Sequence, residues 1–177
     1  SRLLPVIDDF YPDYSIYPDV EHPIGFLTRG CIRSCPDCIV RQKEGTIHAY
    51  NQIDNIIFPN SKTKTAILMD NNVLACKYGI WEIEKIAERG IKVDFNQGLD
   101  ARLINDDIAR LLSKVKWLKP LRLACDTPAM IEPVREAIEL LRWHNTKPVQ
   151  YSCYVMVKDV DTALKIVRFL KGMHVSP

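Results

Sequence analysis

The sequence predicts an α/β fold: a partial (βα) barrel of parallel strands with about five βα units, an open doubly wound sheet being the other reading of the same pattern. Three observations predict it. Short, nearly continuous apolar runs recur five times, as strands buried on both faces do. Stretches of helical period separate most of them, and strand–helix alternation points to a parallel sheet with right-handed crossovers. The chain has 177 residues, whereas a complete eightfold barrel takes about 250.

Residues 1–22, rich in Asp, Pro and Tyr, read as an irregular lead-in, and residues 23–177 as the barrel-like domain. The first strand is predicted at 24–28 (IGFLT). The segment after it is irregular, and only 52–58 suggests a short helix. The second strand is 66–70 (AILMD). A helix over 79–89 follows, with Ile80, Ile83, Ile86 and Ala87 on one stripe and Gly90 just past its end. The third strand is 91–96 (IKVDFN). Asn105 then reads as the N-cap of a helix carrying Ile108, Leu111, Leu112 and Val115. The fourth strand is 121–125 (LRLAC). The helix over 131–143 aligns Val134, Ala137, Ile138 and Leu141, with Pro133 in its first turn. The fifth strand is 150–157 (QYSCYVMV). The last helix, 161–171, uses Leu164, Val167 and Leu170 and is closed by Gly172. The final HVSP reads as the entry to a sixth strand.

Apolar residues make up 47% of the chain and charged residues 26%, ordinary values for a soluble globular protein. With 24 Lys+Arg against 22 Asp+Glu, the net charge is +2. That excludes a strongly basic coat protein and gives no support to tight nucleic-acid binding. No apolar run approaches the roughly 18–20 residues of a membrane span. SRLLPVIDDFYPDY places acidic residues where a signal peptide has its apolar core. The expectation is a cytoplasmic protein with no membrane partner.

Six cysteines are too few for a disulfide scaffold. Cys76, Cys125 and Cys153 are scattered and read as small buried residues. Cys31, Cys35 and Cys38 are clustered as CIRSCPDC, directly after the first strand. Parallel α/β folds place their active sites at such strand ends. Gly30 frees the backbone for a sharp exit from the strand, and Pro36 stiffens the loop. Fe–S clusters prefer thiolates, and a [4Fe–4S] cube normally takes four. Three leave one iron without a protein ligand, the open position a catalytic metal needs. A structural zinc would want a fourth ligand such as Cys76 or His48, and neither stands near the loop in sequence.

The C-x3-C-x2-C spacing after the first strand of a βα-repeat chain resembles the radical S-adenosylmethionine (SAM) superfamily. GFLTRGC and VRQKEG are similar to the radical SAM domains often found beside cobalamin-binding domains. The likeness spans residues 23–171. It implies a [4Fe–4S] cluster on Cys31, Cys35 and Cys38, with SAM chelating the fourth iron. An external one-electron reductant of flavodoxin or ferredoxin type would feed the cluster. Cleavage of SAM then gives methionine and a 5′-deoxyadenosyl radical, which abstracts hydrogen from a substrate the sequence does not identify.

In that family the end of the second strand carries a Gly-Gly-Glu-like segment that binds the methionine ammonium. This chain has Asp70-Asn71-Asn72 there, and Asp70 and Asn71 can accept from an ammonium; the bland reading is a turn that caps the next helix. At the third strand end, Arg102 suits the carboxylate of SAM or an anionic substrate. Gln97 and Asp100 suit ribose hydroxyls; the alternative is an Asp100–Arg102 surface pair. Asp126, after the fourth strand, suits ribose or starts a helix. Met156, after the fifth, suits adenine or the core. The residue before the third cysteine is usually aromatic in the family and is Asp37 here. Arg29 and Arg33 flank the ligands, either to offset cluster charge or as solvated cations. A reading from another class is a metal-stabilised (zinc or Fe–S) binding or electron-carrier domain that does not cleave SAM.

Overall fold

The computed structural model describes residues 13–17, 19–57, 64–148 and 150–177. The chain is α/β. Its strands are β1 (Ile24–Gly25), β2 (Thr28–Arg29), β3 (His48–Ala49), β4 (Thr65–Leu68), β5 (Lys92–Phe95), β6 (Lys116–Trp117), β7 (Leu121–Ala124) and β8 (Tyr151–Tyr154). Its helices are α1 (Val40–Glu44), α2 (Lys77–Glu88), α3 (Asp106–Leu112), α4 (Ile131–Trp143) and α5 (Val160–Gly172). Strands β1, β4, β5 and β6 form a parallel sheet in that order. Strands β7 and β8 form a second parallel pair, and a parallel bridge from Leu99 to Leu123 joins the two. Ser176 bridges Ser152 in parallel, so HVSP does lie alongside the last strand. Among the described residues the strands do not close into a barrel.

The sheet has one dry face. Ala66 and Leu68 of β4, Val93 and Phe95 of β5, and Trp117 of β6 are buried together. The helices cover them because their apolar stripes are in phase. Ile83 and Ile86 of α2, Ala109 and Leu112 of α3, and Val134, Ala137, Ile138 and Leu141 of α4 are all buried. Asn105 caps α3 as predicted, its side chain accepting from the Ile108 N–H at 3.0 Å. On α5 the predicted stripe holds at Leu170, buried, and partly at Val167, half-buried, but not at Leu164. Asp159 caps the helix at Thr162, so Ala163, Ile166 and Leu170 face inward and Leu164 is exposed.

The opposite face of the sheet stays outside that core. Strand alternation puts Ile67 and Asp94 on it, and on β7 and β8 it puts Arg122, Ser152 and Tyr154. The Asp94 carboxylate is nearly inaccessible and pairs with Arg122. Ile67 and Ser152 are half-buried and Tyr154 is exposed.

The first predicted strand divides. Residues 24–25 join the parallel sheet, but Thr28 and Arg29 turn away and pair antiparallel with Ala49 and His48. The Asp70 carboxylate causes the departure: it accepts from the Leu27 and Thr28 N–H groups and the Thr28 hydroxyl. Within 52–58 only a single 3-10 turn forms, Ile53–Asn55, and Phe58 lies outside the described residues. So do Phe10 and Tyr11 of the lead-in. Tyr14 staples the lead-in to the start of β1, its hydroxyl accepting from the Ile24 N–H at 2.7 Å. No helix among the described residues is long and apolar enough to cross a membrane.

Candidate functional site

Residues 30–47 join β2 to β3, so the cysteine loop is the tip of a long hairpin. Its stem is closed by local chemistry. Gly30 has φ +82, and a Cβ there would stand 2.4 Å from the Thr46 carbonyl oxygen, so only glycine fits this exit. The Cys31 N–H donates to the Gly45 carbonyl at 3.2 Å. Arg41 Nη1 donates to the Cys31 carbonyl at 2.8 Å. Beyond the stem, Cys31 is buried while Cys35 and Cys38 are exposed.

The buried Cys31 sulfur meets its own loop and the end of β4. It accepts from the Arg33 N–H at 3.3 Å and from Asn72 Nδ2 at 3.5 Å. Asn72 Nδ2 also stands 3.3 Å from Asp100 Oδ2. Asp100 is more than a surface partner. Its side chain is 7% exposed and accepts from Arg33 Nε at 2.9 Å and Arg102 Nε at 2.7 Å. Burial alone would raise the Asp100 pKa, but the hydrogen bonds and charges of Arg102 and Arg33 outweigh it and hold the carboxyl below its usual value. The same hydrogen bond raises the Arg102 pKa, burial opposes it, and the nearby Asp100, Cys35 and Cys31 add to the rise. Asn72 Oδ1 is buried and has no donor among the described residues. Such an atom is costly to leave unmatched.

The other predicted residues have distinct places. Asp70 is buried against Leu27 and Thr28, and burial raises its pKa from 3.8 to about 6. Asn71 Nδ2 donates to Glu44. Gln97 is exposed at the end of β5. Asp126 Oδ1 accepts from the Met156 N–H at 3.0 Å, which ties the ends of β7 and β8, and the Met156 side chain is 44% exposed. Asp37 reaches across to Lys158, so the cysteine loop touches the far end of the strand row. Arg29 is not a solvated cation. It is buried and pairs with Glu44 at 3.2 Å. Cys125 and Cys153 are buried as expected, and Cys76 is half-buried. Asn72 and Glu44 were not singled out from the sequence. Asn72 adjoins the predicted Asp70-Asn71 pair, so position alone brings it close; nothing in VRQKEG marks Glu44 as buried.

Among the described residues no three Cys, His, Asp or Glu side chains converge as a single-ion site. A tetrahedral zinc requires convergence at one point, whereas a cubane spreads its thiolates over separate irons. Three soft donors on one loop, one already holding N–H···S contacts of the kind that tune clusters, suit a [4Fe–4S] group chemically. No family model matches the chain, and no curated protein matches it.

Proposed function

We propose that the chain is a radical SAM enzyme, or the core domain of one. In this reading Cys31, Cys35 and Cys38 hold a [4Fe–4S] cluster and the neighbouring strand ends hold SAM. The observation that carries it is the buried Cys31 thiol at a strand exit, sharing Asn72 with the Asp100–Arg33–Arg102 network. A reduced cluster supplies the electron that splits the sulfonium C–S bond of SAM into methionine and a 5′-deoxyadenosyl radical.

The chain's own residues then divide the work. Cys31 is held by its stem, while exposed Cys35 and Cys38 face the side an external flavodoxin- or ferredoxin-type reductant reaches. Asn72 Oδ1, buried and undonated, accepts from the SAM ammonium. Arg102, held in place by Asp100, turns its remaining donors to the SAM carboxylate. Asp100 is committed to its arginines and serves as their holder, leaving Gln97 and the Asp126–Met156 contact to the nucleoside. The run of parallel neighbours from β1 to β8, extended by Ser176, supports a partial barrel. The sheet face bearing Ile67, Asp94, Arg122 and Tyr154 would then be the substrate wall. Six free thiols suit the reducing cytoplasm.

Anaerobic reconstitution tests the reading. Iron and sulfide at about four each per chain, an electron paramagnetic resonance (EPR) spectrum that changes when SAM is added, and 5′-deoxyadenosine release with dithionite are expected. One zinc per chain with no nucleoside product would overturn it in favour of a metal-stabilised binding domain.

A further inference from the structure

Glu44 ends α1 with its side chain only 8% exposed. Its Oε1 pairs with Arg29, equally buried, at 3.2 Å. Its Oε2 accepts from the Gly30 N–H at 3.0 Å and from Asn71 Nδ2 at 3.0 Å. Arg29 lies over the Phe26 ring, 4.0 Å from its centroid. One carboxylate therefore reaches the residue before Cys31 and the residue before Asn72. Those two followers are the pair that meets at the Cys31 sulfur.

A buried ion pair is weak evidence for stability, since an apolar pair of similar volume often does as well. An apolar side chain would leave the Gly30 N–H and the Asn71 amide without this acceptor. The arrangement is thus explained by geometry that must be held rather than by energy alone.

We propose that Glu44 is a positioning residue: it clamps Gly30 and Asn71 against each other and so fixes the register between the Cys31 thiol and the Asn72 amide. Its functional meaning rests on the cluster and SAM reading above, but the clamp itself exists without metal.

Cysteine labelling of the metal-free chain reads the clamp directly. With N-ethylmaleimide and peptide mapping, Cys35 and Cys38 should label fast, and Cys31, Cys125 and Cys153 slowly. In Glu44→Ala, Cys31 labelling is expected to rise about tenfold, the factor for losing roughly one charged hydrogen bond, while Cys125 and Cys153 stay protected. Glu44→Gln, which keeps one acceptor, should fall between. Continued protection of Cys31 in Glu44→Ala overturns the proposal. If the core cysteines open as well, the double variant Arg29→Met, Glu44→Leu decides, because it leaves no buried charge unpaired and removes the acceptor of Gly30 and Asn71. Cys31 released over a closed core upholds the clamp; Cys31 still protected, or all three released together, refutes it.

The reconstituted protein gives a second readout. Glu44→Ala should still take up iron but lose the SAM-induced change in its EPR spectrum, and an unchanged response would remove the functional role. Wild type that takes up no iron would sink the cluster reading while leaving the labelling result to judge the clamp.

Discussion

At Asp70, burial opposes ionisation. The carboxyl's pKa rises from 3.8 to about 6, against the hydrogen bonds from Thr28 and Leu27. The folded state therefore binds the Asp70 proton more tightly than the unfolded chain between those values. Stability from this group is fully present below about pH 4 and is lost as pH rises through about 6, a span worth about 3 kcal/mol. Asp70→Asn cannot titrate. Relative to wild type, the variant is expected to gain about 2–3 kcal/mol in urea unfolding between about pH 4.5 and about pH 7. A difference flat with pH would remove Asp70 as the titrating group. Gly30→Ala meets both a positive φ and the Thr46 carbonyl oxygen, and is expected to cost about 3 kcal/mol or to disorder the loop, read by thermal melts and Cys31 labelling. The need for glycine at a strand exit was legible in the sequence, as was the cysteine spacing. The direction of Asn72 was not, because the side chain's aim depends on how the turn after β4 is laid down. Asp70 was flagged, but its partners, 42 and 43 residues away, leave no local trace.

Elements with a period were legible and elements without one were not. Helices α2, α3 and α4 and strands β4, β5, β7 and β8 carry apolar repeats that reveal them. The β2–β3 hairpin has two residues per strand, too few to show alternation, and α1 buries no apolar residue, so it has no stripe. Strand β6 hides beside Pro120, which cannot donate in a ladder. Trp117 sits in that strand against Phe95. At this scale the Asp94–Arg122 pair is the boldest feature, a nearly inaccessible carboxylate and its arginine on the sheet face away from the core. Burial raises the Asp94 pKa and Arg122 opposes that rise. Arg122→Met leaves a buried carboxylate alone and is expected to cost about 3 kcal/mol, most of it recovered by adding Asp94→Leu. A double-mutant cycle in urea measures this, and purely additive losses would show that the two residues are not coupled.

Across the whole molecule, strand ends from both halves of the chain gather on one loop. Asn72, Asp100 and Lys158 come to it from three different βα units. The βα order that brings them there was legible in the sequence; the contacts were not. Cys35→Ala is expected to abolish stable iron uptake while leaving the far-ultraviolet circular dichroism nearly unchanged, since the Cys35 side chain is exposed. Full iron content in that variant would contradict its role as a ligand. Asp37→Ala breaks an exposed pair with both side chains about half accessible, and should shift stability by less than about 1 kcal/mol.

The sheet is really two panels with a seam. One panel ends at β6 and the other begins at β7; among the described residues the seam is crossed by a backbone bond from Leu99 N–H to the Arg122 carbonyl at 2.7 Å, the Asp94–Arg122 pair and the Tyr154 hydroxyl on the Asn96 carbonyl at 2.8 Å. A sheet hinged along such a crease flexes there before it flexes anywhere else. Opening along it would alter the distance between the thiol-bearing hairpin and the tail-end strands, and amide exchange at Leu99 is expected to outpace that at Ile67 within β4.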